Sequence, residues 1–367
     1  MEKIDLTKIN GSIGIIDVDL INRKNHQFPN LALMKISAYM EEKGMNVELT
    51  NFEAIDSLFS FDFFILSKVF TDTEIDKNIL KRNNVIYGGT GFFYDKAEKL
   101  PYEIEHHKPD YTLYKNAIKM VNSNRADFYI NHSIGFMTRG CIRQCDFCVN
   151  KNYKKVEKHS NLHEFYNEKL KYITLLDDNI IAYKDFYNIW DELKETGKSF
   201  TFKQGMDFRL LNEKKIKLIT ETWQYGRSKG RKGTTFYFAF DNIKDKKQIE
   251  KNIKIWNNYV KRSTVTVFYV LTGFDFENKY DYNFYYNDYL TTIERVEILF
   301  NNRFYPYIMI HENCKKSPFY EKILLLRNYC NTPMYCTNSS FEQYLIKTNR
   351  NNLIKEFNNE LSFTYLY

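Results

Sequence analysis

Gly135-Phe136-Met137-Thr138-Arg139-Gly140-Cys141-Ile142-Arg143-Gln144-Cys145-Asp146-Phe147-Cys148 places three cysteines on one short loop, at C-x3-C-x2-C spacing. The loop begins where an apolar strand, 134–138, ends. Thiolates are soft ligands suited to iron–sulfur clusters and zinc. Three on one loop can hold three corners of a cubane. No fourth cysteine lies nearby, since the others are Cys314, Cys330 and Cys336, so one iron would keep an open position. Other chemistries use parts of the same pattern. Cys141, Cys145 and Cys148 with His159 or His163 would make a Cys3His zinc site, and C-x2-C alone is a redox pair.

Working outward, strand-like apolar runs at 134–138, 172–176, 199–203, 235–240, 265–271 and 305–310 alternate with helical patterns at about 161–170, 184–197, 212–223, 244–260, 284–300 and 318–328. Strands alternating with helices imply a parallel sheet. Eight such units close a barrel; six make a partial (βα)6, TIM-like barrel, here residues 132–338. Residues 339–367 read as a polar helical extension.

Before the cysteines, strands at 12–18, 46–49, 61–66 and 84–87 alternate with helices at 31–40 and 72–81. This predicts a doubly wound parallel-sheet domain over 1–115, joined by a poorly periodic connector, 116–131. The fold class is α/β throughout. Gly88-Gly89-Thr90-Gly91 follows the fourth strand. It reads as a tight turn rather than a phosphate cradle.

Taken together, the C-x3-C-x2-C loop, its place at a strand end, Phe147 before the last cysteine and the six βα units resemble the radical S-adenosylmethionine (SAM) superfamily. The resemblance covers about 130–315. It implies a [4Fe–4S] cluster on Cys141, Cys145 and Cys148, with SAM on the open iron. It also implies an electron donor such as flavodoxin or ferredoxin, and hydrogen-atom abstraction from a substrate it does not identify. SAM-binding candidates then fall at the strand ends: Asp177, Asp178 and Asn179 after the second strand, Gln204, Asp207 and Arg209 after the third, Asp241 after the fourth and Gly273 after the fifth. Asp178 or Asn179 could equally cap a helix, and Asp207 could simply pair with Arg209. The amino-terminal domain resembles the Rossmann-like cobalamin-binding domain of one subgroup. Its Asp-x-His-x-x-Gly loop has no counterpart in Asp17-Val18-Asp19-Leu20-Ile21-Asn22, which argues against cobalamin.

Composition narrows the alternatives. The 367 residues are 43% hydrophobic and 27% charged, within the globular range. No run approaches the ~18 apolar residues of a membrane span, and MEKIDLTKING has no apolar signal core. A cytoplasmic, reducing setting follows, with clustered cysteines read as ligands rather than disulfides. The net charge of +7 keeps nucleic acid open as a substrate, through a tRNA- or DNA-modifying methyl- or methylthiotransferase-like chemistry. The basic stretch Arg227-Ser228-Lys229-Gly230-Arg231-Lys232 reads as a solvated loop. A non-catalytic zinc scaffold is the alternative from a different class.

Overall fold

The computed structural model describes residues 5–23, 26, 28–57, 61–115, 126–151, 153–222, 225–228 and 231–357. The chain forms two compact units, Met1–Leu176 and Asp177–Tyr367. Both are mixed α/β, built largely on parallel strands.

The first unit runs β1 (Ile13–Asp17), α1 (Val18–Asn22), α2 (Leu31–Glu42), β2 (Val47–Leu49), β3 (Phe63–Ser67), β4 (Val85–Gly88), α3 (Thr90–Phe93), α4 (Tyr102–Glu105), α5 (Asp127–Ile130), β5 (His132–Gly135), β6 (Thr138–Arg139), β7 (Glu157–Lys158) and β8 (Tyr172–Leu175). Four strands form a parallel sheet in the order β2-β1-β3-β4. Every residue of β1 is buried because both faces of the sheet are covered. Ile13 and Ile15 pack with Leu33, Ile36 and Met40 of α2 and Ile104 of α4. Ile16 packs oppositely with Phe64, Leu66, Val85 and Ile55. Helix α2 starts where expected because the Asn30 side chain accepts from Leu33 N. β5 and β8 pair in parallel.

Two expected helices of this unit do not form. Across 72–81 only a 3-10 turn, Ile79–Lys81, appears. Its polar side chains are engaged elsewhere: Asp72 pairs with Arg23, Thr73 donates to Asp19, and Asp76 accepts from Asn78 N. Such local and long-range bonds compete with helical ones. Across 161–170 only Leu162–Glu164 is helical, a 3-10 turn closed by an Asn161–Glu164 capping box. The connector's residues 116–125 lie outside the described ones.

The second unit runs α6 (Phe186–Glu195), β9 (Ser199–Phe202), α7 (Glu213–Glu221), β10 (Tyr225–Ser228), β11 (Arg231–Ala239), α8 (Lys246–Tyr259), β12 (Val265–Thr272), α9 (Tyr282–Asn301), β13 (Tyr305–Ile310), α10 (Tyr320–Asn331), α11 (Pro333–Asn338), α12 (Phe341–Lys347) and α13 (Ile354–Phe357). β11, β12 and β13 are parallel. β12 alternates half-buried and buried residues along its length, so its two faces differ in cover. Trp190 of α6 stacks on Phe202, and Trp256 of α8 meets Phe236 and Phe238 edge-on. The basic stretch is not a loop: Arg227 pairs with Lys232 and Ser228 with Arg231 in an antiparallel ladder. Only two residues, Lys229 and Gly230, separate the paired positions, the spacing of a hairpin; both lie outside the described residues. No helix among the described residues is long and apolar enough to cross a membrane.

Candidate functional site

The cysteine loop hangs between β6 and β7, whose residues pair Thr138 with Lys158 and Arg139 with Glu157. Gly140 opens it at φ +97°. A Cβ there would fall 2.3 Å from the Lys155 carbonyl oxygen, so only glycine lets the two ends of the loop cross. Cys145 to Cys148 closes a turn, with Cys148 N donating to Cys145 O at 2.9 Å.

Two thiols accept backbone hydrogen bonds: Arg143 N donates to Cys141 Sγ and Asn150 N to Cys148 Sγ, each at 3.4 Å. Cys141, Cys145 and Cys148 are half-buried, and none of the six cysteines is in a disulfide. N–H donors aimed at sulfur stabilise thiolate charge and tune iron–sulfur potentials.

Among the described residues, no group of three or more His, Cys, Asp or Glu could hold a metal ion. A cubane makes a different demand, because each thiolate holds its own iron and the sulfurs stand apart around the cluster. Three thiols, two of them receiving backbone N–H bonds, are the donor type such a cluster uses.

The rest of the first unit grips the loop at both ends. At the cysteine end, Tyr94 Oη donates to Phe147 O at 2.6 Å, and Lys151 Nζ pairs with Asp95 Oδ2 at 3.0 Å. At the hairpin end, His159 N donates to Met137 O at 2.9 Å, and His159 Nε2 meets Glu105 Oε1 at 2.9 Å. Glu105 is also paired with buried Lys35 of α2 at 3.0 Å. Burial raises the Glu105 carboxyl, but the His159 hydrogen bond and the Lys35 charge outweigh it and hold the pKa at about 2. His159 thus spends its Nε2 on a carboxylate, and sequence reading passed over this Lys35–Glu105–His159 bracket.

The glycine cluster after β4 serves packing. Gly89 lies at φ +104°, and its Cβ would stand 2.4 Å from Lys68 O. Gly91 N donates to that same oxygen at 3.0 Å. At the end of β1, Asp17 accepts from Leu20 N at 3.1 Å and from Tyr114 Oη at 2.7 Å.

The remaining sequence-derived candidates belong to the second unit. Asp177 and Asn179 are buried and Asp178 is half-buried, just before the 3-10 turn Ile180–Ala182. The Asn179 side chain does not cap that turn. Gln204 is exposed. Asp207 and Arg209 do pair, at 2.7 and 3.0 Å, and Arg209 also reaches Asp245 at 2.5 Å. Their charges are therefore turned on each other.

Asp241 and Gly273 are tied together by residues that sequence reading did not single out. Arg295 of α9 is 1% exposed. It donates to the carbonyls of Phe240, Asp241 and Leu271 at 3.1, 2.7 and 2.9 Å. Asp288, two turns earlier on α9, accepts from Thr272 Oγ1 at 2.6 Å and Gly273 N at 2.7 Å. Burial pushes the Asp241 and Asp288 carboxyls up and the Arg295 guanidinium down. Gly273 is glycine because a Cβ would stand 2.2 Å from Cys314 Cβ. The forward signal was an Asp and an Arg seven apart, two helical turns, on one face of a helix.

Cys314, Cys330 and Cys336 are fully buried. Burial pushes the Cys314 thiol up to about 12 and Cys330 well above its ordinary value. Both are held as neutral thiols, packed in the interior like small hydrophobes.

Compared with family models, curated proteins and solved structures, the chain matches none of them.

Proposed function

We propose that this chain is a radical SAM enzyme in which Cys141, Cys145 and Cys148 hold a [4Fe–4S] cluster, and that its six later parallel strands belong to a partial (βα)6 barrel. The observation that carries the reading is the C-x3-C-x2-C loop at a strand end, with two of its thiols already receiving backbone N–H bonds. When bound, cluster and SAM together supply a carbon radical able to take a hydrogen atom from a substrate. The chain's own part is to hold the loop. Gly140 permits its crossing, the Arg143 and Asn150 amides face the sulfurs, and Tyr94, Asp95 and Glu105 fix its two ends. The commitment of His159 Nε2 to Glu105 counts against a Cys3His zinc site that would use that nitrogen.

Anaerobic reconstitution with iron and sulfide tests this. About four irons per chain, with 5′-deoxyadenosine formed from SAM under a strong reductant, is the expected result. Cys145→Ala should abolish both. A colourless protein that takes up zinc and no iron, or a Cys145→Ala chain that cleaves SAM normally, would overturn the assignment. An electron donor of the flavodoxin or ferredoxin kind belongs to the same proposal.

A further inference from the structure

Strand β2 is an edge strand of the first unit's parallel sheet, with β1 on its inner side. The pairing runs unbroken: Ile13 with Val47, Gly14 with Glu48 and Ile15 with Leu49. Ile13 N donates to Asn46 O and Thr50 N to Ile15 O, both at 2.8 Å. Residues 46, 48 and 50 therefore turn their backbone groups toward β1. The N–H and C=O groups of Val47 and Leu49 then point outward. Among the described residues none bonds to those four groups. Natural sheet edges are commonly blunted by a proline, a lysine or a bulge, or are covered by another element. β2 reads Val47-Glu48-Leu49, with no proline, lysine or bulge. Val47 and Leu49 are only half-buried.

A cavity of about 290 Å³ lies along this edge. Residues 47–51 line it, together with Asp110 and Leu113 of the segment after α4. Leu20, Leu49 and Leu113 pack against one buried cluster, that of Met34, Tyr114 and Tyr129, and give the cavity an apolar wall. Its charged lining is Glu41, Glu48 and Asp110, and no Lys or Arg lines it among the described residues. Asp110 accepts from Ser37 and Thr112, neither of them a cation. Glu41 and Glu48 are exposed. Burial and the Asp110 charge push the Glu41 carboxyl up. Open strand groups beside apolar side chains are what an extended peptide meets when it adds a strand to a sheet. Carboxylates of one sign select the charge it carries.

We propose that β2 is a docking edge for an extended peptide bearing lysine or arginine. Its main chain bonds to Val47 and Leu49, its apolar side chains lie against Leu20, Leu49 and Leu113, and its cations face Glu41, Glu48 and Asp110. A free polyamine would satisfy the carboxylates and leave the strand's amides and carbonyls unmet. The site lies wholly in the first unit. It goes beyond the radical SAM reading and does not depend on it.

Fluorescence anisotropy of dye-labelled Lys-Val-Lys-Val-Lys with the full chain, prepared without iron or SAM, tests this. Saturable binding is expected, and the peptide should slow amide hydrogen exchange over residues 45–51. Leu49→Pro removes one outward N–H, a change that an edge strand tolerates, and should weaken binding about tenfold. Glu41→Gln with Glu48→Gln, both at exposed positions, should weaken it about threefold or more. Glu-Val-Glu-Val-Glu and the fully N-methylated lysine peptide should not bind. If Leu49→Pro fails to fold, the exchange measurement and the N-methylated peptide still decide. No binding at millimolar peptide, N-methylated or glutamate peptide binding as well as the lysine one, or exchange over 45–51 left unchanged, overturns the proposal. Because the chain is metal-free, that failure leaves the cluster assignment standing, and loss of the cluster assignment leaves this edge standing.

Discussion

Replacing Glu105 by Gln should destabilise the first unit in a pH-dependent way. The carboxyl lies at about 2 in the folded chain against an ordinary 4.5. At about 1.4 kcal/mol per pH unit, its ionisation contributes about 3 kcal/mol at pH 7. A folded-state pKa below the unfolded one means the contribution is complete above 4.5 and is lost as pH falls toward 2. At pH 3 about 1.4 kcal/mol remains, by the same linkage.

Lys35 works against part of this, because burial pushes its amine down even beside Glu105. The net cost of Glu105→Gln at neutral pH is therefore about 2–3 kcal/mol. Lys35→Met added to Glu105→Gln should recover part of it, since the variant's cost includes a buried cation left alone. Urea unfolding provides the assay. With slopes of about 1–3 kcal/mol per molar, the midpoint should fall by about 1 M. The shift should appear in far-ultraviolet circular dichroism. A loss below about 0.5 kcal/mol at pH 7, or one that stays the same at pH 3, would refute the reasoning.

Two more outcomes follow from burial. Arg295→Met takes the donor from three carbonyls and the nearby cation from the Asp288 carboxylate, so it should cost the second unit about 3 kcal/mol; a fluorescence-monitored urea midpoint corresponding to less than about 1 kcal/mol would contradict the strand-end role given to it. Maleimide should modify Cys141, Cys145 and Cys148 in the folded metal-free chain and all six cysteines only after unfolding. Mass spectrometry that finds Cys330 labelled before unfolding would show its burial to be wrong.

Apart from β10 and the first residues of β11, the strands of the second unit are legible in the sequence because period-two alternation is a local property. Residues 305–310 were read as a strand and are one, and 265–271 differs from β12 by a single residue. The cysteine spacing was equally visible, since it needs only neighbours along the chain. Local reading failed where polar side chains had distant partners. Residues 72–81 look helical until Asp72 and Thr73 are seen bonded to Arg23 and Asp19. The basic stretch reads as a loop until Arg227 is seen paired with Lys232.

From the sequence alone came the α/β class, the alternation of strands with helices and the three thiols on one loop. Tertiary structure decided what each polar group faces. It turned Asp207 onto Arg209, set Arg295 beneath the ends of β11 and β12, and placed Glu105 between Lys35 and His159. It also gave Gly273 its reason, which is Cys314, forty-one positions away in the chain. Periodicity tells which face of an element a residue occupies. It does not tell which distant side chain will lie against that face, and the charge and hydrogen-bond state of a buried group depends on that neighbour.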